Sequence, residues 1–224
     1  MIRLVNVWYR YPGSASWVLR GVGIDIGAGE SVIVTGPNGS GKTTLLKVIA
    51  AIYKPVRGRV KLWGKDVWMV ADAERLALRR RLVYVHEEPI IVRGSVLHNI
   101  AFGLLLRGVE RETAEAKAEE AASLLGLEGL LAEKAKHLSR GRRQLVAIAR
   151  AIALEPDYLL LDEPLSHLDL SSKDRLLAVL EELKSKGRGV VLTAHDTSLV
   201  ERLKARLIYL EDGLVKEIEP GVFL

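Results

Sequence analysis

Short apolar runs alternate with segments of helical periodicity along most of this chain. The apolar runs are four or five residues long and rich in valine, isoleucine or leucine, which is typical of strands covered on both faces. These predicted strands are residues 31–35, 82–85, 158–161 and 189–193. The predicted helices between them are residues 45–52, 71–80, 142–154 and 171–186. Strands alternating with helices predict an α/β fold with a mostly parallel sheet and right-handed crossovers.

The two ends of the chain carry a different pattern. Residues 2–8 alternate apolar and polar side chains, which predicts a half-buried strand, and residues 17–26 form a second strand region. We expect these segments to form an N-terminal antiparallel β part. Near the other end, residues 206–211 and 214–218 flank an Asp-Gly dipeptide, which favours a two-residue hairpin turn.

Strand signals vanish over residues 95–138, where Ala, Leu, Glu, Lys and Arg dominate. Residues 112–125 are strong helix formers, and Gly126 is a suitable C-cap. This composition predicts an α-helical insertion in the α/β core. We therefore expect one domain, in which residues 1–94 and 139–224 form the core and residues from about 95 to 138 form the helical subdomain.

Composition narrows the class of protein further. The chain has 224 residues, of which 49% are hydrophobic, enough for one large domain. The absence of cysteine excludes disulfides and thiolate metal sites. The net charge of +5 suits an anionic ligand, a membrane-adjacent surface or nucleic acid, and it does not choose among them. No apolar run approaches the roughly 18 residues of a membrane span, and the N-terminus begins as a strand, so we expect a cytosolic chain.

A glycine-rich loop joins the strand at residues 31–35 to a helix. It reads Gly-Pro-Asn-Gly-Ser-Gly-Lys-Thr-Thr over residues 36–44. Its glycines let the backbone turn tightly and bring N–H groups close to an anion, and the following helix directs its positive end to the same place. Lys42 adds a positive charge for the β- and γ-phosphates, and Thr43 adds a hydroxyl for Mg²⁺. This order of strand, loop and helix predicts a Walker A phosphate-binding loop rather than a plain linking turn.

Polar residues follow two further predicted core strands. Asp162 and Glu163 follow one of them, and His195 follows the other. Because ligands bind beyond the C-terminal ends of parallel strands, we expect these side chains and Lys42 at one rim of the sheet. Asp162 could hold Mg²⁺, Glu163 could act as general base on the attacking water, and His195 could donate to a γ-phosphate. The alternatives are a helix-start cap for the acidic pair and a structural role for the histidine.

Several motifs together make the chain resemble the nucleotide-binding subunit of an ATP-binding-cassette (ABC) transporter. Residues 36–43 resemble Walker A, and residues 159–163 resemble Walker B with its catalytic glutamate. Residues 166–169 match the D-loop, and His195 matches the switch histidine. Residues 138–142 occupy the place of the LSGGQ signature. The resemblance implies a P-loop NTPase fold and ATP hydrolysis.

The resemblance also implies cofactors and site residues. In this family ATP binds with Mg²⁺ between Walker A of one subunit and the signature of a second. Tyr11 falls where the family stacks adenine, although a tyrosine in a Pro-Gly turn is also explained by simple packing. The implied nucleotide-binding residues are Tyr11, Gly36, Asn38, Gly39, Ser40, Gly41, Lys42, Thr43, Thr44, Ser139 and Gly141. The implied catalytic residues are Glu87, Glu163 and His195, and the implied metal ligands are Thr43, Glu87 and Asp162.

The Q-loop departs from the family pattern. Aligning residues 84–89 with it puts Glu87 where a glutamine is expected, and another register puts His86 there. A carboxylate at this position can still reach Mg²⁺, but it adds negative charge beside the γ-phosphate.

The signature departs from the pattern as well. Ser139 and Gly141 are retained, while Arg140 replaces a glycine and Arg142 replaces the glutamine. The charge of Arg140 could partly compensate at the phosphate, or its size could hold a dimer open. An asymmetric heterodimer with one strong and one weak composite site is therefore a hypothesis beside a homodimer.

The leading interpretation is an ATPase that dimerises on ATP and powers a separate transmembrane permease from the inner face of the cell membrane. The opening strands and residues 101–103 look most like ATPases of energy-coupling-factor systems for cobalt, nickel or vitamins, which indicates uptake of a small solute. The alternatives are a soluble ABC protein of DNA repair, translation or iron–sulfur assembly, and a degenerate regulatory cassette. We expect no nucleic-acid partner, since long coiled coils and a second cassette are missing.

Overall fold

The computed structural model describes residues 1–218, so residues 219–224 of the predicted domain lie outside the described residues. The strands are β1 (Ile2–Tyr9), β2 (Leu19–Ile26), β3 (Ser31–Thr35), β4 (Arg57–Leu62), β5 (Lys65–Asp66), β6 (Leu82–Val85), β7 (Tyr158–Leu161), β8 (Gly189–Thr193), β9 (Arg206–Glu211) and β10 (Leu214–Ile218). The helices are α1 (Lys42–Ile49), α2 (Asp72–Arg80), α3 (Val96–Leu106), α4 (Arg111–Leu124), α5 (Arg140–Ala153), α6 (Leu170–Ser185) and α7 (Leu199–Leu203).

The described strands form two sheets. The smaller sheet has the order β2-β1-β4-β5, and its neighbouring strands pair antiparallel. The larger sheet has the order β10-β9-β3-β8-β7-β6, and every neighbouring pair except β10 with β9 is parallel. This architecture confirms the predicted α/β fold with a mostly parallel sheet and an N-terminal antiparallel part.

The parallel sheet is buried on both faces, which explains why its strands are continuous apolar runs. In β3, Ile33 packs into one hydrophobic cluster with helices α3 to α6, while Val32 and Val34 pack into a second cluster with β1, β2 and α1. In β7, Leu159 and Leu160 divide between the same two clusters. Successive side chains of a strand point to opposite faces, so each strand contributes to both cores.

Only helices and short 3-10 turns are found between β6 and β7, apart from an isolated bridge from Ser95 to Lys134. This agrees with the prediction of helices over residues 95–138, while the division into core and subdomain stays a prediction. Helix α4 presents small side chains to the core, so α3 and α5 can pack close to it. Its buried side chains are Ala114, Ala118, Ala121 and Ala122.

The predicted hairpin between β9 and β10 is present. Asp212 and Gly213 both have positive φ angles, of 50° and 75°, as a two-residue hairpin turn requires. Within residues 1–218, no helix combines the length and the apolar character that a membrane span needs.

Candidate functional site

The glycine loop has a backbone that only glycine suits at its tightest point. Gly36 has a φ of 142°, and a Cβ atom added there would lie 2.0 Å from the carbonyl oxygen of Leu210. Gly41 has a φ of 104° and forms the N-cap of α1. The loop therefore packs against β9 and ends directly at a helix N-terminus, where backbone N–H groups have no partner within the helix.

Lys42 lies under this loop and is buried. Its Nζ donates to the carbonyl oxygens of Gly36 at 2.8 Å and Pro37 at 3.1 Å. These bonds hold the ammonium group across the loop, so that the positive charge and the N-terminus of α1 act on the same space.

A cleft of about 590 Å³ opens beside the loop. It brings together most of the predicted site residues, which lie far apart in the sequence. Those that line it are Tyr11, Asn38, Gly39, Gly41, Lys42, Thr43, Thr44, Glu87, Asp162, Glu163 and His195. Val18 and Ser166 line it as well. Strands β3, β7 and β8 run parallel, so the residues that follow them meet at one edge of the sheet.

Asp162 is almost fully buried at the end of β7. Its Oδ1 accepts a hydrogen bond from the hydroxyl of Thr193 at 2.9 Å, and its Oδ2 accepts one from the hydroxyl of Tyr84 at 2.9 Å. Burial and the neighbouring Asp162 raise the pKa of Tyr84 far above its usual range, so Tyr84 keeps its proton and donates it.

Glu163 lies next to Asp162 in a left-handed backbone conformation, with a φ of 44°. Its carboxylate is 17% exposed, and its Oε1 lies 3.4 Å from Nε2 of His195. Burial raises the pKa of Glu163, and the neighbouring His195 and Lys42 partly oppose that shift. A carboxylate with a raised pKa is a better base toward water than an exposed one.

Tyr11 closes the cleft at the side of α1. Its hydroxyl lies 2.8 Å from Oγ1 of Thr44, at hydrogen-bond distance. The ring packs edge-on to Tyr9 and Tyr53, with centroid distances of 5.4 Å and 5.9 Å. It is 41% exposed, so the structure places a partly open aromatic ring beside the phosphate-binding loop.

Glu87 and His86, the two candidates for the Q-loop position, occupy different environments. Glu87 lines the cleft with Asp162 and Glu163. His86 is not among the lining residues; its Nδ1 accepts from the backbone N–H of Glu88, and its ring packs on Tyr84. Of these two residues, Glu87 is the one that faces the cleft, and its place in the Q-loop stays a prediction.

The signature residues do not line this chain's own cleft. Ser139 is the N-cap of α5, and its hydroxyl accepts from the backbone N–H of Arg142 at 3.4 Å. Gly141 follows two residues later, in the first turn of α5, where an added Cβ would lie 2.5 Å from the carbonyl oxygen of His167. Arg140 contacts the Q-loop segment through Glu88, at 3.4 Å. The remaining predicted residues outside the lining are Gly36, which accepts from Lys42, and Ser40, whose hydroxyl is buried.

The cleft offers hard oxygen donors of the kind that Mg²⁺ takes. Thr43 provides a hydroxyl, and Glu87 and Asp162 provide carboxylates. No group of three or more His, Cys, Asp or Glu side chains within residues 1–218 could hold a metal ion by itself. This set suits a Mg²⁺ ion that shares its coordination with a phosphate ligand, since proteins commonly hold Mg²⁺ by one or two carboxylates and the substrate phosphates.

Tyr84 and Thr193 contact the acidic pair, and neither was predicted as a site residue. Both occur in apolar runs that predict buried strands, where aromatic and β-branched residues are common. The one sequence signal is a hydroxyl-bearing side chain on a strand that ends at the cleft. That signal does not distinguish a site residue from an ordinary strand former.

Comparison with known proteins gives consistent matches over the whole chain. The family model described as "ABC transporter" matches residues 19–166. The phosphate import ATP-binding protein PstB 2 of Natronomonas pharaonis is 35% identical over 98% of this chain and 80% of its own length. The energy-coupling factor ATP-binding protein EcfA of Methanocaldococcus jannaschii is 32% identical over 98% of this chain and 79% of its own. The cell division ATP-binding protein FtsE of Bacillus subtilis is 32% identical, with coverages of 96% and 94%.

Solved structures that match this chain include ATP-binding cassettes as well. An ATP-binding cassette solved as a dimer in a post-hydrolysis state with ADP and Pi superposes with a TM-score of 0.87 at 30% identity. The match covers 98% of this chain and 99% of that one. An ATP-binding subunit of an ABC transporter superposes with a TM-score of 0.85 at 26% identity, with coverages of 97% and 90%.

Proposed function

The chain belongs to the ABC transporter family as an ATP-binding and ATP-hydrolysing subunit, and from that premise we propose that it binds ATP with Mg²⁺, dimerises and drives a membrane permease. The observation that carries this proposal is the convergence of Lys42, Glu163 and His195 on one cleft beside the glycine loop. A phosphate-binding group, a base and a hydrogen-bond donor in this arrangement can bind a triphosphate and activate water against it.

The predicted site residues that line the cleft divide the tasks of binding and hydrolysis among them. The loop amides and Lys42 bind the β- and γ-phosphates, and Tyr11 stacks on the adenine. Thr43, Glu87 and Asp162 hold Mg²⁺, which neutralises the charge of the phosphates when it is bound. The other nucleotide contacts from this chain are Gly36, Asn38, Gly39, Ser40, Gly41 and Thr44.

Glu163 accepts the proton of the attacking water, because its buried carboxylate has a raised pKa and lies at the edge of the cleft. His195 is 56% exposed and lies within 3.4 Å of Glu163, so it can donate to a γ-phosphate oxygen on the open side of the site. The pair thus combines a base and a donor around one reacting phosphate.

Dimerisation follows from the placement of the signature. Ser139 and Gly141 begin α5 away from this chain's own cleft, so we assign them to the ATP held by a second subunit. Arg140 accompanies them and is 43% exposed at its side chain. The second subunit is either another copy of this chain or a related ATPase with which it forms a heterodimer.

The permease contact is assigned to a groove of about 360 Å³ beside the Q-loop. Tyr53, Pro89 and Leu154 contribute to its lining, and Ile90 exposes 70% of its surface there. An apolar groove suits a cytoplasmic helix of a permease. Tyr84 lines this groove and donates to Asp162, so the groove adjoins the cleft. The subunit then works peripherally on the inner face of the membrane.

The transported substrate is proposed at the level of a class. Two relatives are named for phosphate import and for an energy-coupling factor transporter, which supports uptake of an ion, a vitamin or another small solute. A third is named for cell division, so the relatives do not share one substrate and the proposal names a class of solute only.

The Glu163→Gln substitution tests this proposal. It removes the base while keeping the shape of the side chain, so hydrolysis should fall at least about 100-fold and ATP should accumulate in a closed dimer. Size-exclusion chromatography with light scattering, in saturating ATP and Mg²⁺, should show the dimer, and the same variant with ADP is the control. A variant that remains monomeric with ATP contradicts a symmetric ATP-bound dimer for this chain.

A further inference from the structure

Two hydroxyl groups fix the orientation of the Asp162 carboxylate. Tyr84 on β6 donates to one oxygen and Thr193 on β8 donates to the other, both at 2.9 Å. Asp162 is 1% exposed and Thr193 is 0% exposed, so bulk water does not replace these bonds. A buried carboxylate with a donor on each oxygen has a fixed plane, and its remaining lone pairs have fixed directions.

The hydroxyl of Thr193 makes a second contact that the hydroxyl of Tyr84 does not. Its Oγ1 accepts the backbone N–H of Glu163 at 2.7 Å while its proton goes to Asp162. Glu163 has a left-handed backbone conformation, which residues other than glycine adopt at a cost in free energy. The bond from its N–H to Thr193 is one of the contacts that keep this residue in place.

The strand that carries Thr193 also leads to His195. Thr193 is the last residue of β8, and His195 lies two positions further along the chain, 3.4 Å from Glu163. The hydroxyl of Thr193 therefore contacts both Asp162 and Glu163, and its strand leads to the histidine beside Glu163.

We propose that Thr193 and Tyr84 are positioning residues for hydrolysis: both orient Asp162 toward the metal, and Thr193 in addition holds the backbone of Glu163 in the conformation that aims its carboxylate at water. This inference rests on the proposed Mg²⁺-dependent hydrolysis at this site and adds two residues to it. It also separates the two roles, because the hydroxyl of Tyr84 donates to Asp162, whereas that of Thr193 donates to Asp162 and accepts from the backbone N–H of Glu163.

Four variants of the full chain test the proposal. Tyr84→Phe and Thr193→Val each remove one hydroxyl with little change of shape, and Thr193→Ser keeps the hydroxyl while removing a methyl group. Tyr158→Phe is the matched control, since Tyr158 is another tyrosine of the parallel sheet whose hydroxyl donates to the carbonyl oxygen of Gly27 at 2.8 Å, outside the cleft.

The first measurement is the affinity for a fluorescent ATP analogue at a series of Mg²⁺ concentrations and in EDTA, so that it does not depend on turnover. Tyr84→Phe and Thr193→Val should each raise, by about 10-fold or more, the Mg²⁺ concentration at which half of the Mg²⁺-dependent gain in nucleotide affinity is reached. This is the range found for groups that orient metal ligands. Affinity in EDTA should stay within about twofold. Thr193→Ser and Tyr158→Phe should match the unmodified chain.

The second measurement is kcat and KM for ATP at saturating Mg²⁺. Thr193→Val should lower kcat more than Tyr84→Phe does, because only Thr193 holds Glu163, and Thr193→Ser should restore it. The positioning role is overturned if both variants keep the Mg²⁺ dependence and kcat of the unmodified chain, or if Tyr158→Phe shows the same losses. A chain whose unmodified form binds nucleotide equally with Mg²⁺ and with EDTA contradicts the proposed Mg²⁺ chemistry instead, which separates the two failures.

Discussion

Glu163 illustrates how the environment of one residue sets its chemistry. Its carboxylate is largely buried next to another acid, while a histidine lies 3.4 Å away on the open side. Burial is the main cause of its raised pKa. A raised pKa in the folded state means that the folded protein binds the proton more tightly than the unfolded chain does.

The first prediction concerns the pH dependence of stability. The ionised Glu163 destabilises the fold, and this cost is absent below the ordinary carboxyl pKa of 4.5 and grows as the pH rises through the raised pKa. Glu163→Gln should therefore raise the melting temperature at about pH 7 and give little gain at about pH 4. Thermal unfolding without nucleotide measures this, with the exposed Glu128→Gln as control. An equal gain in melting temperature at both pH values would contradict a raised pKa of Glu163 in the folded protein.

Individual site residues differ in how far the sequence predicts them. Asp162 and His195 could be found because each closely follows an apolar strand run, and Lys42 because a glycine loop links it to such a run. The ends of parallel strands meet at one edge of the sheet. Thr193 could not be found, because its role depends on a hydroxyl direction inside the sheet. That direction is set by the pairing of β7 with β8, which places Asp162 beside it.

At the scale of elements, helix α5 is tied to its neighbours by one arginine. Arg150 donates to the carbonyl oxygen of Asn99 at 2.7 Å, to Oδ1 of Asn99 at 2.8 Å and to the carbonyl oxygen of Ile90 at 2.9 Å. These bonds join α5 to the start of α3 and to the segment after β6, next to the Q-loop. The three donors fit because a guanidinium group is planar and forked.

The second prediction follows from this contact. Arg150→Lys keeps the charge but cannot satisfy the three acceptors together, so it should lower the free energy of unfolding by about 1–3 kcal/mol. Chemical denaturation measures the loss. The control is Arg111→Lys on α4, whose side chain is 81% exposed, so that the loss of its ion pair with Glu115 should change the free energy of unfolding little. Equal losses in the two variants would show that the partly buried guanidinium group of Arg150 does not hold α5.

The sequence predicts the elements well and their limits less well. The strand at residues 189–193 and the hairpin after it match the structure, because apolar runs and an Asp-Gly turn are strong local signals. The helix predicted at 142–154 begins earlier, at Arg140, because Ser139 caps it. Helix α7 was not predicted, since five residues at a loop end give too short a period to detect.

At the scale of the whole molecule, the parallel sheet separates two hydrophobic clusters and presents one functional edge. The cluster around α3 to α6 carries the signature and the Q-loop contacts, and the cluster around α1 carries the phosphate-binding loop. Because side chains alternate between the two faces along β3 and β7, each of these strands contributes to both clusters. Sequence patterns predict buried strands, but the strand order that joins these clusters comes from long-range pairing.

The proposed binding of ATP depends on Lys42 and the loop that surrounds it. The most direct measurement is the affinity of the Lys42→Ala variant for ATP with Mg²⁺, by calorimetry, with Lys47→Ala in the last turn of the same helix as the control. Losing a buried charge that binds phosphate should weaken binding by about 100-fold or more, and the control should bind as the unmodified chain does. Unchanged affinity in Lys42→Ala would contradict the assignment of this cleft as the ATP site.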